Sequence, residues 1–194
     1  MIITVVCDVL GEKNNGTSMA AYNLIDSLKA KGHTVRVVCG DEDKRGLEGY
    51  YILPHKSLGK LLDKYIEKNG VHLSKPDKKI IDEACHDADA IHAMFPFPVG
   101  KAAVKYAYKH NIPVTGGFHC QSENFTSHIF CLRNKFVNWL VYKNYNKKFY
   151  KYVGGTHFPT QFVKDLSAKY GITGGHGYAI SNGVKLDQFY PHKV

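Results

Sequence analysis

Ile180-Ser181-Asn182-Gly183-Val184-Lys185-Leu186-Asp187-Gln188-Phe189-Tyr190-Pro191 reads as the end of a buried strand, a turn at Asn182-Gly183 and an extended exit held by Pro191. The strand ending there is the last of seven short apolar runs. The others are Ile2 to Cys7, Val35 to Cys39, Tyr50 to Leu53, Ala90 to His92, Ile112 to Phe118 and Tyr152 to Gly155, and the last spans Tyr178 to Ser181. Continuous apolar runs of this length suit parallel strands covered on both faces.

Helix-like segments lie between the runs. In the first, Thr17 or Ser18 can cap, Ala21, Leu24, Ile25 and Leu28 recur at helical spacing, and Gly32 suits the position after the last turn. Lys75-Pro76-Asp77 opens a second, with Pro76 near its first position, running to about Asp87. A third spans about Val99 to His110. A fourth follows Pro159, with Phe162, Val163 and Leu166 on one face. Repeated βα units predict an α/β fold: a Rossmann-like open parallel sheet with helices on both faces and right-handed crossovers. Two segments fit less well. Ser57 to Lys68 reads as a short helix. The aromatic region from Glu123 to Tyr150 reads as two shorter helices or one with a break, its lysines not gathered on one face.

At 194 residues the chain suits one domain with a substantial core. No apolar run approaches the ~20 residues that span a bilayer. Met1 leads straight into a strand pattern without a basic leader, which predicts no secretory signal. Five cysteines (Cys7, Cys39, Cys85, Cys120 and Cys131) form no C-x-x-C pair, and Cys7 and Cys39 close apolar runs as small core residues do. A reduced, cytoplasmic setting follows. The net charge is +9, and between Asn124 and Lys164 there is no acidic residue at all. A patch of one sign implies an anionic partner.

Three segments carry polar chemistry. Asp8 to Ser18 joins the first strand to the first helix, where ligands bind in doubly wound sheets. Gly16 there would let a ligand approach the backbone, and free helix N–H groups favour phosphate. An ordinary capped turn explains the same residues. Thr115-Gly116-Gly117-Phe118-His119-Cys120-Gln121-Ser122-Glu123 ends a buried strand in a polar cluster with His119 at its tip. Asp89-Ala90-Ile91-His92 ends another strand in histidine, followed by a loop stiffened by Pro96 and Pro98. A satisfied structural histidine explains the His119 segment equally well and a packed surface loop the His92 segment, but all three segments emerge on the same edge of a parallel sheet.

Together with the L-x-x-x-G-H-x-V element (Leu28 to Val35) and the S-N-G-V crossover (Ser181 to Val184), these pieces resemble the N-terminal domain of glycosyltransferase family 4, with the GT-B fold. The resemblance covers the whole chain. It implies that residues 1–194 form the acceptor-side Rossmann-like domain and end in the crossover to a donor-binding C-terminal domain that this chain lacks. It implies retaining, metal-independent transfer from a sugar nucleotide, without a bound cofactor, to a cell-envelope or lipid-linked acceptor. His119 would be the catalytic contact to the transferred sugar. Asn15, Gly16, Thr17, His92, Gly117 and Glu123 would bind substrate. Asn15-Gly16 stands where family members often carry Gly-Gly. The family's E-x7-E element belongs to the second domain, and no two glutamates here stand eight apart.

The basic residues Arg133, Lys135, Lys143, Lys147, Lys148 and Lys151 suit an anionic membrane surface, which would place the protein peripherally on the inner face of the cell membrane. A solvated face over an aromatic core is the plainer account, and nucleic acid is disfavoured because the fold offers no stacking platform. Asp41-Glu42-Asp43 reads as a solvated loop rather than a metal clamp, and the His119, Cys120, His128 and Cys131 spacing fits no zinc pattern. The competing function is a non-catalytic module that binds acceptor or membrane. A nicotinamide oxidoreductase is disfavoured because the first βα turn lacks G-x-G-x-x-G.

Overall fold

The computed structural model describes residues 1–8, 10–11, 16–57, 59, 74–123, 134–172 and 174–183. Asn15, Arg133, Cys131, nearly all of the proposed 57–68 helix and the exit beyond Gly183 lie outside the described residues.

Seven parallel strands build one sheet: β1 (Ile2–Val6), β2 (Thr34–Cys39), β3 (Tyr50–Ile52), β4 (Ala90–Ala93), β5 (Val114–Gly117), β6 (Gly155–Phe158) and β7 (His176–Ala179). Their order is β3-β2-β1-β4-β5-β6-β7. The direction of strand addition reverses between β1 and β4, which makes that pair the topological switch point.

Successive β1 residues point to opposite faces and enter two cores. Val5 packs with Ala21 and Ile25 of α1 (Gly16–Ala30) and with Val37. Val6 joins the other face, with Ile81 of α2 (Lys78–Cys85), Val104 of α3 (Pro98–Lys109) and Tyr142 of α4 (Lys135–Lys148). Both Cys7 and Cys39 are buried, as their positions at the ends of apolar runs predict.

Local chemistry sets the element ends. His33 N–H bonds the Leu28 carbonyl and Gly32 sits at φ +80°, closing α1 in a left-handed turn that suits glycine. Asp77, not Pro76, caps α2: its carboxylate accepts from the Lys79 and Ile80 N–H groups at 2.9 and 3.2 Å, so Pro76 stands before the cap. Thr160 caps α5 (Gln161–Lys169) by accepting from Val163 N–H.

Three sequence expectations are corrected. β6 begins three residues later than its apolar run, because Tyr150–Tyr152 closes into a 3-10 turn behind α4 and Gly155 pairs with Thr115. β7 starts earlier and forms the sheet's edge, which leaves Ile180 58% exposed instead of buried. Phe162 points to solvent at 72% exposure while Val163 packs inward, so they do not share one buried face. Of the aromatic region from Glu123 to Tyr150, residues 124–133 lie outside the described residues, and Lys135–Lys148 is a helix capped by Asn134.

Candidate functional site

Gly16 and His119 meet. Both line a cavity of about 330 Å³ at the carboxyl edge of the sheet, together with Thr17 and Asn182. His119 and Asn182 also line a second cavity of about 370 Å³, between α1 and the open half of the sheet. His92 is on the wall of that second space, joined by His157 of β6. His119 therefore stands at the junction of the two.

The paired glycines of β5 have different reasons. A Cβ on Gly116 would stand 2.7 Å from the Phe149 ring, so this residue allows the helical layer to pack against the strand. A Cβ on Gly117 would stand 2.5 Å from His119 Cδ2 and 2.7 Å from its Nε2. Gly117 thus makes room for the His119 ring, which folds back over it. Gly16 has neither reason. Among the described residues, apart from its neighbours and its own helix backbone, no atom lies within 4 Å of where its Cβ would be, and its backbone is not left-handed. Gly16 opens α1, whose first turn carries no acidic residue, and the helix end there carries partial positive charge.

The histidines form a row. The His92 Nδ1 and Thr115 hydroxyl are 2.8 Å apart, and the His119 and His157 ring centroids are 5.2 Å apart. His157 Nε2 donates to the Ile180 carbonyl at 2.7 Å and so ties the exit segment to β6. The Nε2 atoms of His92 and His119 are shielded from solvent and have no hydrogen-bond partner among the described residues. Burial, with a smaller push from His157, holds His92 down at about 4. Burial, then His157 and His92, hold His119 down at about 3. Both rings are neutral at physiological pH and can offer a hydrogen bond without a charge.

Two carboxylates shape the edge. Asp8, buried at the switch point, accepts from the Val99 and Gly100 N–H groups at 2.8 and 2.9 Å. It fills the N-terminus of α3, whereas the first residues of α1, Gly16 and Thr17, line the cavity. Asp41 accepts from Gly11 N–H at 2.7 Å, and Tyr22 donates to the Gly11 carbonyl at 2.9 Å. The two clamp the entry to the first loop. Asp41 is buried, which corrects the reading of 41–43 as wholly solvated, while Glu42 and Asp43 make surface ion pairs.

A family model for Glycosyltransferase Family 4 matches residues 14–188. The chain belongs to glycosyltransferase family 4. No curated protein sequence matches it. Among solved structures it is similar to Anabaena HepE in complex with UDP, at TM-score 0.55 and 11% identity over 96% of this chain and 45% of that one. It is similar also to the UDP-GlcNAc 2-epimerase of Methanocaldococcus jannaschii, at TM-score 0.52 and 10% identity over 92% and 45% of the two chains. At such identities the likeness is one of fold, a Rossmann-like α/β half of GT-B architecture. The chain spans less than half the length of either structure.

Within this family 4 chain, the remaining predicted residues divide. Glu123 is engaged internally: its carboxylate accepts from the hydroxyls of Tyr142 at 2.6 Å, Ser122 at 3.1 Å and Tyr170 at 3.3 Å. Lys135, Lys143, Lys147, Lys148 and Lys151 are all exposed, and none forms an ion pair among the described residues. Sequence reasoning missed His157, although Gly155-Thr156-His157 repeats the strand-then-histidine pattern of β4 and β5. It missed the roles of Asp8 and Asp41, for which no local signal exists. Among the described residues no helix is long and apolar enough to cross a membrane.

Proposed function

We propose that the chain is the acceptor-side, N-terminal domain of a retaining, metal-independent glycosyltransferase. It works with a following donor-binding domain to move a sugar from a sugar nucleotide to a cell-envelope or lipid-linked acceptor at the inner face of the membrane. The observation that carries this reading is the shared cavity of Gly16 and His119 at the carboxyl edge of a family 4 domain. UDP bound to HepE makes a uridine nucleotide the first donor to try.

In this reading the N-terminus of α1 receives the donor's phosphate oxygens, and Gly16 permits the close approach. Thr17 lies beside that approach, and Asn15, expected to bind with it, is outside the described residues. His119, neutral and freed of competing partners, hydrogen-bonds the transferred sugar, while Gly117 holds the ring's pose. Neutrality suits a contact to hydroxyl groups. His92 steadies the cavity wall. Glu123 acts through Tyr142 by ordering the segment after His119, in place of the direct substrate contact its position in sequence implied.

A panel of sugar nucleotides, tested on the longer protein that carries both domains, decides the matter. Transfer with retained anomeric configuration from one donor is the expected result, with little or no transfer by these 194 residues alone. No transfer from any donor by the two-domain protein, or full activity of the isolated chain, would overturn the proposal.

A further inference from the structure

One face of α4 is unusual for an exposed surface. Phe136, Trp139 and Leu140 are 62%, 43% and 44% exposed. With Lys143 and Lys147 they follow the i, i+3, i+4, i+7, i+11 spacing of one helical stripe. The Phe136 and Trp139 rings stack at 5.8 Å between centroids, and Lys143 Nζ stands 4.7 Å from the centre of the Trp139 ring. Lys135 and Lys148 flank the stripe and are exposed too. The opposite face buries Asn138, Tyr142 and Tyr145 in the core.

We infer that this stripe docks the protein on an anionic lipid bilayer, with Phe136, Trp139 and Leu140 in the headgroup boundary and the lysines among anionic headgroups. The inference deepens the proposed function and rests on its membrane-side acceptor. Charge and side-chain type choose the occupant. A second copy would bring its own Lys143 and Lys147, and its own net charge of +9, against the first. Nucleic acid would use the lysines but leave the side-by-side Phe136 and Leu140 without a role. A bilayer interface satisfies both halves: aromatic rings sit at headgroup level, and lysines reach out to anionic lipid along apolar stems.

The helix also faces the site. On its inner side the Tyr142 hydroxyl accepts from Ser122 N–H at 3.3 Å and donates to Glu123. The Tyr142 ring stacks on Phe118, next to His119, at 6.3 Å between centroids. One helix thus lays its outer face on the lipid and holds, with its inner face, the segment that follows His119. A lipid-linked acceptor would arrive beside the edge where transfer is proposed.

Trp139 is the only tryptophan in the chain, so its fluorescence reports on this face alone. Adding phosphatidylglycerol vesicles should shift its emission to the blue, and brominated lipid should quench it. Phosphatidylcholine vesicles should do neither. The paired reversal Lys143→Glu and Lys147→Glu should weaken partitioning on the order of tenfold or more, as should Phe136→Ser with Leu140→Ser. Phe162→Ser, on the separate exposed aromatic of α5, should leave binding unchanged, and thermal melts of all variants should confirm an intact fold. No shift with anionic vesicles, an equal shift with neutral ones, or binding untouched by either pair overturns the inference. A blue shift that grows with protein concentration without lipid overturns it in favour of self-association. Transfer to a water-soluble acceptor is assayed apart. Its loss with intact vesicle binding overturns the proposed function and leaves the docking face standing, and the reverse outcome separates the two equally well.

Discussion

Asp8 lies where two effects of opposite sign meet, and the structure says which wins. Two amide N–H groups and the positive end of α3 favour its charged form. Burial in the switch-point crevice opposes them and prevails, raising the carboxyl from the ordinary 3.8 to about 6. A difference of that size corresponds to about 3 kcal/mol at 1.36 kcal/mol per pKa unit. Because the folded value exceeds the unfolded one, the native state holds a proton that the unfolded chain has already released. That stabilisation is fully present below about pH 4 and is lost as pH rises through about 6. Asp8→Asn removes the titration and leaves a pH-independent cost from one mismatched N–H. Urea unfolding of both proteins across pH 4 to 7 isolates the effect. The stability of the wild type, relative to the variant, should fall by about 2 kcal/mol across this range. A flat difference, or one that rises with pH, would mean that the two N–H bonds and the helix end outweigh burial, and the reasoning would fail.

His92 and His119 run the other way: their folded values lie below the unfolded 6.5, so they support the fold above that pH and lose this as pH falls toward 4 and 3. Ring-proton NMR should show both neutral at pH 5, and a midpoint near 6.5 for either would contradict its burial. Gly116→Ala drives a methyl into the Phe149 ring and should cost ~1–3 kcal/mol in urea unfolding, whereas an unchanged midpoint would show that the packing relaxes. Gly117→Ala should instead displace the His119 ring, visible as a shift of its NMR signals with a smaller loss of stability. In the two-domain protein, His119→Ala should slow transfer by the equivalent of ~2–4 kcal/mol if its hydrogen bond acts in the transition state. Unchanged turnover would return His119 to a structural role.

The sequence by itself determined the parallel α/β architecture, the first helix with its Gly32 stop, and the gathering of Gly16, His92 and His119 at one edge. These follow from local patterns: short apolar runs, helical spacing, turn residues, and the rule that parallel strands end on the same side. The family resemblance rested on the same local elements. Tertiary structure alone decided the rest, because the partners lie far apart in the chain. Asp8 and the α3 N-terminus are 91 and 92 residues apart, and Asp41 reaches back 30 residues to Gly11. Nothing near Gly117 in sequence says that its missing side chain makes room for His119, and nothing near Glu123 says that three hydroxyls engage it. The register of β6 was set by pairing with β5, not by the apolar run before it. On α4 the wheel shows which residues align, but only packing against the core decides that Tyr142 and Tyr145 turn inward and Phe136, Trp139 and Leu140 remain outside. A face is a relation between a helix and its neighbours, and that relation exists only once the chain has folded.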